Sequence, residues 1–388
     1  MTALLLIIYL AFISLGLPDS MLGTAWTVMY TDVGAPITLA GLISMVISGG
    51  TILSSLSSAR VIRRFGTWRV VTVSVMLTAV ALFGFAASSA VWMLILFAIP
   101  LGLGAGAVDA ALNNFVAVHY KPRHMNWLHC FWGIGATGGP LVIAAFLSGG
   151  GSWRTGYVTI GIAQAVLVAG LWASGRLWNQ PETAAAQEEA QGRAHVSNRN
   201  ALKIRGVKAS LLTFLCYCAL EIGLGVWAAS YLTTQRAVSP ASAALWVSLY
   251  YGGITVGRFF NGLLSERFRS EWLIRGGLVI IAVGILLLLL PLPTVFCMAG
   301  LILIGLGCAP VYPSMIYLVP KRFGKAASQT VIGLSMATAY VGSTLMPPII
   351  GAASAALSLG ILPYVLAALL LGMAVASEKI NRDTASIS

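Results

Sequence analysis

Twelve long apolar stretches run along the chain, separated by shorter polar segments. Each is near or above the roughly 20 residues that a helix needs to cross the hydrocarbon core. They are continuous apolar runs, unlike the ten-residue alternations of a membrane β-barrel. The pattern therefore predicts twelve transmembrane helices. The predicted spans are 3–29, 37–59, 69–88, 91–118, 127–148, 155–176, 209–233, 242–262, 272–290, 294–318, 328–350 and 355–376.

Composition supports a membrane protein. The 388 residues are 58% hydrophobic and 9% charged, and the mean hydropathy is +0.89. Soluble domains carry about 25% charged residues. We therefore expect a multi-pass protein of a bacterial-type cytoplasmic (inner) membrane, with the lipid bilayer as its surroundings.

The net charge of +12 predicts topology and not a nucleic-acid partner. Lysines and arginines cluster in alternate loops, whereas the other loops hold chiefly Arg154 and Arg236. Because basic residues stay on the cytoplasmic side, both termini are predicted to be cytoplasmic. The clustered basic residues are Arg60, Arg63, Arg64, Arg69, Lys121, Arg123, Arg193, Arg199, Lys203, Arg205, Lys208, Arg267, Arg269, Arg275, Lys321, Arg322 and Lys325.

The chain contains an internal repeat. Residues 177–208 hold no apolar span and are predicted to be a cytoplasmic linker between six-helix bundles at 1–176 and 209–388. Six features recur in the same order at an offset of about 200 residues. A parallel repeat of six helices is typical of the major facilitator fold, in which the substrate binds near the bilayer midplane. The matched features are Asp19 and Leu220, Trp26 with Tyr30 and Trp227 with Tyr231, Gly49-Gly50 and Gly252-Gly253, Arg63-Arg64-Phe65 and Glu266-Arg267-Phe268, Gly102-Leu103-Gly104 and Gly305-Leu306-Gly307, and Gly135 with Pro140 and Gly342 with Pro347.

Three carboxylates fall inside predicted spans: Asp19, Asp109 and Glu221. An acid at bilayer depth costs roughly 2.5–3.5 kcal/mol on insertion scales, so it is retained where a neighbour satisfies it or a mechanism uses it. We predict that these three couple transport to a cation. Asp109 and Asn113 are four residues apart and share a helix face. The alternative is a hydrogen bond between helices that fixes packing.

Further polar and aromatic residues are candidates for substrate binding. Each has a simpler alternative role in packing, at the membrane interface or as a loop cap. The candidates, together with Asn113, are His129, Trp132, Trp227, Tyr251, Tyr312 and Gln329.

Four motifs lie in the first, fourth, fifth and seventh spans: Gly16-Leu17-Pro18-Asp19, Gly-x-x-Asp109-Ala-Ala-x-Asn113-x-Phe115-Val116, Asn126-x-x-His129-x-Phe131 and Tyr217-Cys-Ala-Leu-Glu221-Ile-Gly223. These motifs are similar to the fucose/proton symporter family and its glucose/mannose and sodium-dependent glucose relatives. That family has one acid in its first helix and one in its fourth, which by position are Asp19 and Asp109. The resemblance implies a sugar substrate.

The segment after the eighth span resembles the superfamily's gating loop, in which an acid pairs with arginines across the cytoplasmic face. Here it contains Arg258, Glu266 and Arg267. The first half has Arg63 where the acid is usual, so the predicted cytoplasmic gate lies mainly in the second half.

These features together predict a secondary active transporter. The first hypothesis is symport of a monosaccharide, expected to be a hexose, with a proton as the first candidate cation and sodium as the second. The alternative is a proton-coupled drug or metabolite efflux antiporter, because Gly135-x-x-x-Gly139-Pro140 resembles part of an exporter motif. No nucleophile triad or metal-ligand spacing supports an enzyme, so we expect no enzyme activity, no cofactor and no metal, in a monomer.

Overall fold

The computed structural model describes residues 2–120, 122–178, 197–265 and 267–384. In a bilayer the backbone must satisfy its own hydrogen bonds, and continuous apolar runs do so as helices. The described residues form helices joined by short turns, with no strand among them. The α-helices are α1 Thr2–Asp19, α2 Met21–Asp32, α3 Ala40–Phe65, α4 Thr67–Ala87, α5 Val91–His119, α6 Pro122–Ser148, α7 Trp153–Ala173, α8 Asn198–Ala201, α9 Val207–Gln235, α10 Pro240–Leu264, α11 Ser270–Leu289, α12 Val295–Cys308, α13 Val311–Phe323, α14 Lys325–Ala356 and α15 Leu362–Thr384.

The all-helical prediction is confirmed, with two spans each built from two helices. The first span is α1 and α2, interrupted at Ser20, two residues after Pro18. The tenth is α12 and α13, interrupted at Ala309 and Pro310. Proline lacks a backbone N–H and disfavours a continuous helix, which explains why the breaks lie beside these residues.

Ten spans in the described residues are long and apolar enough to cross a membrane by length and composition alone. Among the helices of the twelve predicted spans, α10 and α14 do not qualify, although they have 25 and 32 residues. Both are long enough. They carry more polar residues, including Arg258 in α10 and several serines and threonines in α14.

The chain divides into two compact units, Met1–Gly192 with Ser239–Ser248, and Arg193–Val238 with Leu249–Ser388. Most of the predicted linker, residues 179–196, lies outside the described residues. Its described end contains the short helix α8. The bundle boundaries at 176 and 209 remain a prediction.

In the first unit α1 packs along α6, α3 along α5, and α4 along α5 and α7. The fully buried side chains of Ile8 and Phe12 pack in one core with residues of α4 and α5. Gln164 of α7 makes two hydrogen bonds to other helices. Its Nε2 donates to the Ser14 carbonyl oxygen at 2.7 Å, and its Oε1 accepts from the Thr78 hydroxyl at 2.6 Å. The amide is therefore satisfied although it is buried.

In the second unit α9 packs against α14 and α15, while α11 packs against α12, α13 and α15. Arg275 of α11 donates two hydrogen bonds to the carboxylate of Glu378 in α15, at 2.6 and 2.8 Å. This bidentate pair connects the two helices near the end of the chain.

The repeated glycines occupy matching places in the two units. A Cβ on Gly102 of α5 would overlap the carbonyl oxygen of Ile47 in α3. A Cβ on Gly305 of α12 would overlap the carbonyl oxygen of Tyr250 in α10. Small residues let membrane helices approach closely. The sequence repeat therefore corresponds to the same close helix contact, made once in each unit.

Candidate functional site

The first unit places Asp19 at the end of α1, beside α6. Trp132 donates from Nε1 to Asp19 Oδ2 at 2.9 Å. The contact depends on close packing, because a Cβ on Gly16 would overlap the Trp132 carbonyl oxygen and one on Gly135 would overlap that of Ile13. Asp19 remains exposed, so its carboxylate is hydrogen-bonded and still accessible.

Asp109 and Asn113 share one face of α5, as their spacing predicts. The Asn113 amide donates to Asp109 Oδ1 and to the Asp109 carbonyl oxygen, each at 2.9 Å. Asp19 on α1 and Asp109 on α5 are two of the three predicted carboxylates, and both lie in the first unit. Two nearby anions repel, and a bound cation lowers that repulsion.

His129 and Trp132 both contact α1. The His129 imidazole meets the Phe12 ring edge-on, with centroids 5.9 Å apart, and is exposed. Trp132 is half-buried and donates to Asp19. The spacing of three residues therefore places both side chains toward the same neighbouring helix.

In the second unit Glu221 is buried and pairs with Arg258. Arg258 Nη2 lies 3.7 Å from Glu221 Oε1, and the two side chains are 18% and 8% exposed. A buried carboxylate is costly unless an opposite charge accompanies it. Arg258 of α10 supplies that charge to α9.

Tyrosines surround this pair. Tyr250 donates from its hydroxyl to the Glu221 carbonyl oxygen at 3.1 Å. The Tyr217 side chain, one helical turn before Glu221, is buried. Tyr312 packs against the Tyr217 ring at 5.7 Å and donates to the Met336 sulfur at 2.6 Å. The hydroxyl groups of Tyr250 and Tyr312 are therefore already hydrogen-bonded to other groups of the protein.

Tyr251 and Trp227 are both enclosed by the second unit. The Tyr251 hydroxyl lies against Gly225, where a Cβ would overlap it. Trp227 is fully buried and donates from Nε1 to the Pro347 carbonyl oxygen at 2.9 Å. Its repeat counterpart Trp26 is also fully buried, with Nε1 donating to the Ile37 carbonyl oxygen at 2.6 Å. In this conformation neither indole offers a face to a ligand.

The predicted cytoplasmic gate is only partly described. Glu266 lies outside the described residues, as does the side chain of Gln329. Arg267 is exposed in the turn after α10. Arg258 is instead beside Glu221, inside α10 and six residues before its last residue, Leu264. The resemblance to the gating loop did not predict the ion pair between Arg258 and Glu221. The available signal was that a charge within a span usually faces a partner.

The family model described as Major Facilitator Superfamily matches residues 8–236 and 209–379. The chain belongs to the major facilitator superfamily. It is therefore a multi-pass membrane transporter, and the fold predicted from its repeat is confirmed.

Two curated relatives are similar to this superfamily member. An uncharacterized MFS-type transporter of Yersinia pestis is 27% identical over 177 residues, which are 44% of this chain and 44% of that protein. The chain thus spans less than half the length of that relative. A glucose/mannose transporter of Bacillus subtilis (strain 168) is 25% identical over 299 residues, 75% of this chain and 73% of that protein.

Solved structures agree on the fold. One is a bacterial homolog of the human lysosomal transporter Spinster in an inward-facing and unoccupied conformation, with a TM-score of 0.79 at 14% identity. The match covers 100% of this chain and 97% of the chain in that structure. A D-xylose-proton symporter has a TM-score of 0.75 at 13% identity and covers 97% of each chain.

Proposed function

We propose that this superfamily member is a cation-coupled symporter of a monosaccharide, with a proton as the first candidate cation and sodium as the second. The observation that carries the proposal is the pair of acids in the first unit. Asp19 and Asp109 each accept a side-chain hydrogen bond, and both lie in the first unit. The Bacillus subtilis relative, described as a glucose/mannose transporter, supports a hexose as substrate.

The coupling follows from electrostatics. When both acids are ionised they repel, and a proton or sodium ion at either one relieves the repulsion. Trp132 joins Asp19 to α6, so a change of charge on Asp19 alters a contact between two helices. Binding of the cation and the arrangement of these helices are linked in this way, which is what an alternating-access transporter requires.

The test is uptake by the purified protein in liposomes. Radiolabelled glucose or mannose should accumulate above the external concentration under an inward proton or sodium gradient. Asp109→Asn should abolish accumulation and retain exchange of internal for external sugar, because that exchange does not require net cation release. Asp32→Asn is the matched control, since Asp32 is 43% exposed and pairs with Arg154 near a helix end.

The same vesicles distinguish symport from the alternative function, efflux by antiport. An efflux antiporter would expel a cationic dye under a proton gradient and would not accumulate hexose. The exporter-like glycines do not favour that reading, because Gly135 and Gly139 are explained by close packing on Ile13 and Leu17. No accumulation of any hexose under either gradient, or full accumulation by Asp109→Asn, would reject the proposal.

A further inference from the structure

A groove separates α3 and α4 in the first unit. Gly66 alone joins the two helices, with φ at +80°, so they could pack as a hairpin. Instead α3 follows α5, while α4 follows α5 and α7. The groove between them has a volume of about 830 Å³. Its lining includes Leu53, Val61, Val73, Leu77, Leu103 and Trp172.

The groove suits an apolar chain. Two of its hydroxyl groups are used internally: Ser54 donates to the Leu103 carbonyl oxygen at 2.6 Å, and Thr72 donates to that of Trp68 at 2.8 Å. From Leu53 to Phe65 the helix rises about 18 Å. The hydrocarbon of one bilayer leaflet is about 15 Å thick. A lipid tail therefore matches both the chemistry and the length of the groove.

A basic chamber of about 1030 Å³ adjoins the groove at the junction of α3 and α4. Arg69 and Trp172 line both spaces. Arg69 and Arg176 form no ion pair with any acid in the described part of the chain. Tryptophans are typical of the level of lipid headgroups. The chamber is lined by Trp68, Arg69, Trp172, Arg176 and Trp178, among others.

We propose that the groove and the chamber together bind one anionic phospholipid. Its phosphate would lie between Arg69 and Arg176, and one acyl chain would lie between α3 and α4. Guanidinium groups match phosphate oxygens in pairs. Basic pockets between transmembrane helices bind anionic headgroups. A zwitterionic lipid is disfavoured, because its ammonium group would meet two arginines.

The test measures lipid binding to the purified full chain by native mass spectrometry. Phosphatidylglycerol and phosphatidylcholine with identical acyl chains are titrated separately. The protein should bind one phosphatidylglycerol more tightly than phosphatidylcholine. Arg69→Gln with Arg176→Gln should weaken phosphatidylglycerol binding about thirtyfold, since each basic group near an anionic lipid contributes a factor of about five. Phosphatidylcholine binding should not change.

Two further variants make the result specific. Ser57→Trp places a large side chain on the exposed wall of the groove and should weaken both lipids. Arg199→Gln with Arg382→Gln removes two exposed arginines outside the cavity and should change neither lipid. Equal affinity of the parent protein for both lipids would overturn the proposal. So would a phosphatidylglycerol preference that survives in Arg69→Gln with Arg176→Gln.

Discussion

At the scale of single residues, Glu221 and Arg258 form the charged pair of the second unit. Both side chains are mostly enclosed, and their nearest charged atoms are 3.7 Å apart. Removing one member of a buried pair leaves an uncompensated charge, which costs more than replacing both. The pairing therefore predicts that replacing Arg258 alone destabilises the protein more than replacing both residues does.

Arg258→Leu should lower the free energy of unfolding by about 3 kcal/mol, because Glu221 would remain buried without its counter-charge. Glu221→Gln combined with Arg258→Leu should recover much of that loss. The measurement is thermal and denaturant unfolding of the purified protein in detergent. Arg267→Leu is the matched control, because Arg267 is exposed just beyond the same helix and should have little effect.

A double variant no more stable than Arg258→Leu would contradict the pairing. In that case Arg258 would instead be assigned to the cytoplasmic gate predicted from the loop motif.

At the scale of helices, backbone contact at glycines fixes the arrangement of each unit. Gly135 of α6 lies against Ile13 of α1, and Gly342 of α14 lies against Leu215 of α9. These glycines match in the sequence repeat, so the repeat specifies which helices pack closely. The contact at Gly135 also holds Trp132 within reach of Asp19.

Gly135→Ala should destabilise the protein by about 1–3 kcal/mol, because the added methyl group overlaps the backbone of α1 and forces the helices apart. It should also weaken cation-driven uptake through the Trp132 contact. Gly170→Ala is the control: it lies in α7 of the same unit, and no atom lies within 4 Å of its added Cβ. Unfolding curves and uptake should be measured on both. A Gly135→Ala protein indistinguishable from Gly170→Ala would show that the helix contact is not tight.

At the scale of the whole molecule, the distribution of arginines predicts how the chain is threaded through the membrane. The turn before α10 contains Arg236, whereas Arg267 and Arg269 follow it. Basic loops remain cytoplasmic. The two ends of α10 should therefore face opposite sides.

Single cysteines at these ends test the threading. Ser239 and Ser265 are both exposed serines on either side of α10. With the five natural cysteines replaced, Ser239→Cys should react with a membrane-impermeant maleimide in intact cells. Ser265→Cys should react only after the membrane is opened. The reverse labelling pattern would contradict the prediction that both termini are cytoplasmic.

The helices, and the repeat with its matching glycines, follow from the sequence alone. These depend on local apolar runs and on residue size, which are readable along the chain. It also placed Asp109 and Asn113 together, because they are one helical turn apart.

The partners of the other charged residues depend on how distant helices pack. Trp132 reaches Asp19 across 113 residues of sequence, and Arg258 turns to Glu221 rather than toward the loop. The burial of Trp227 and the groove between α3 and α4 likewise depend on which helices become neighbours. Periodicity shows which face of a helix is polar, but packing of distant segments determines what that face meets.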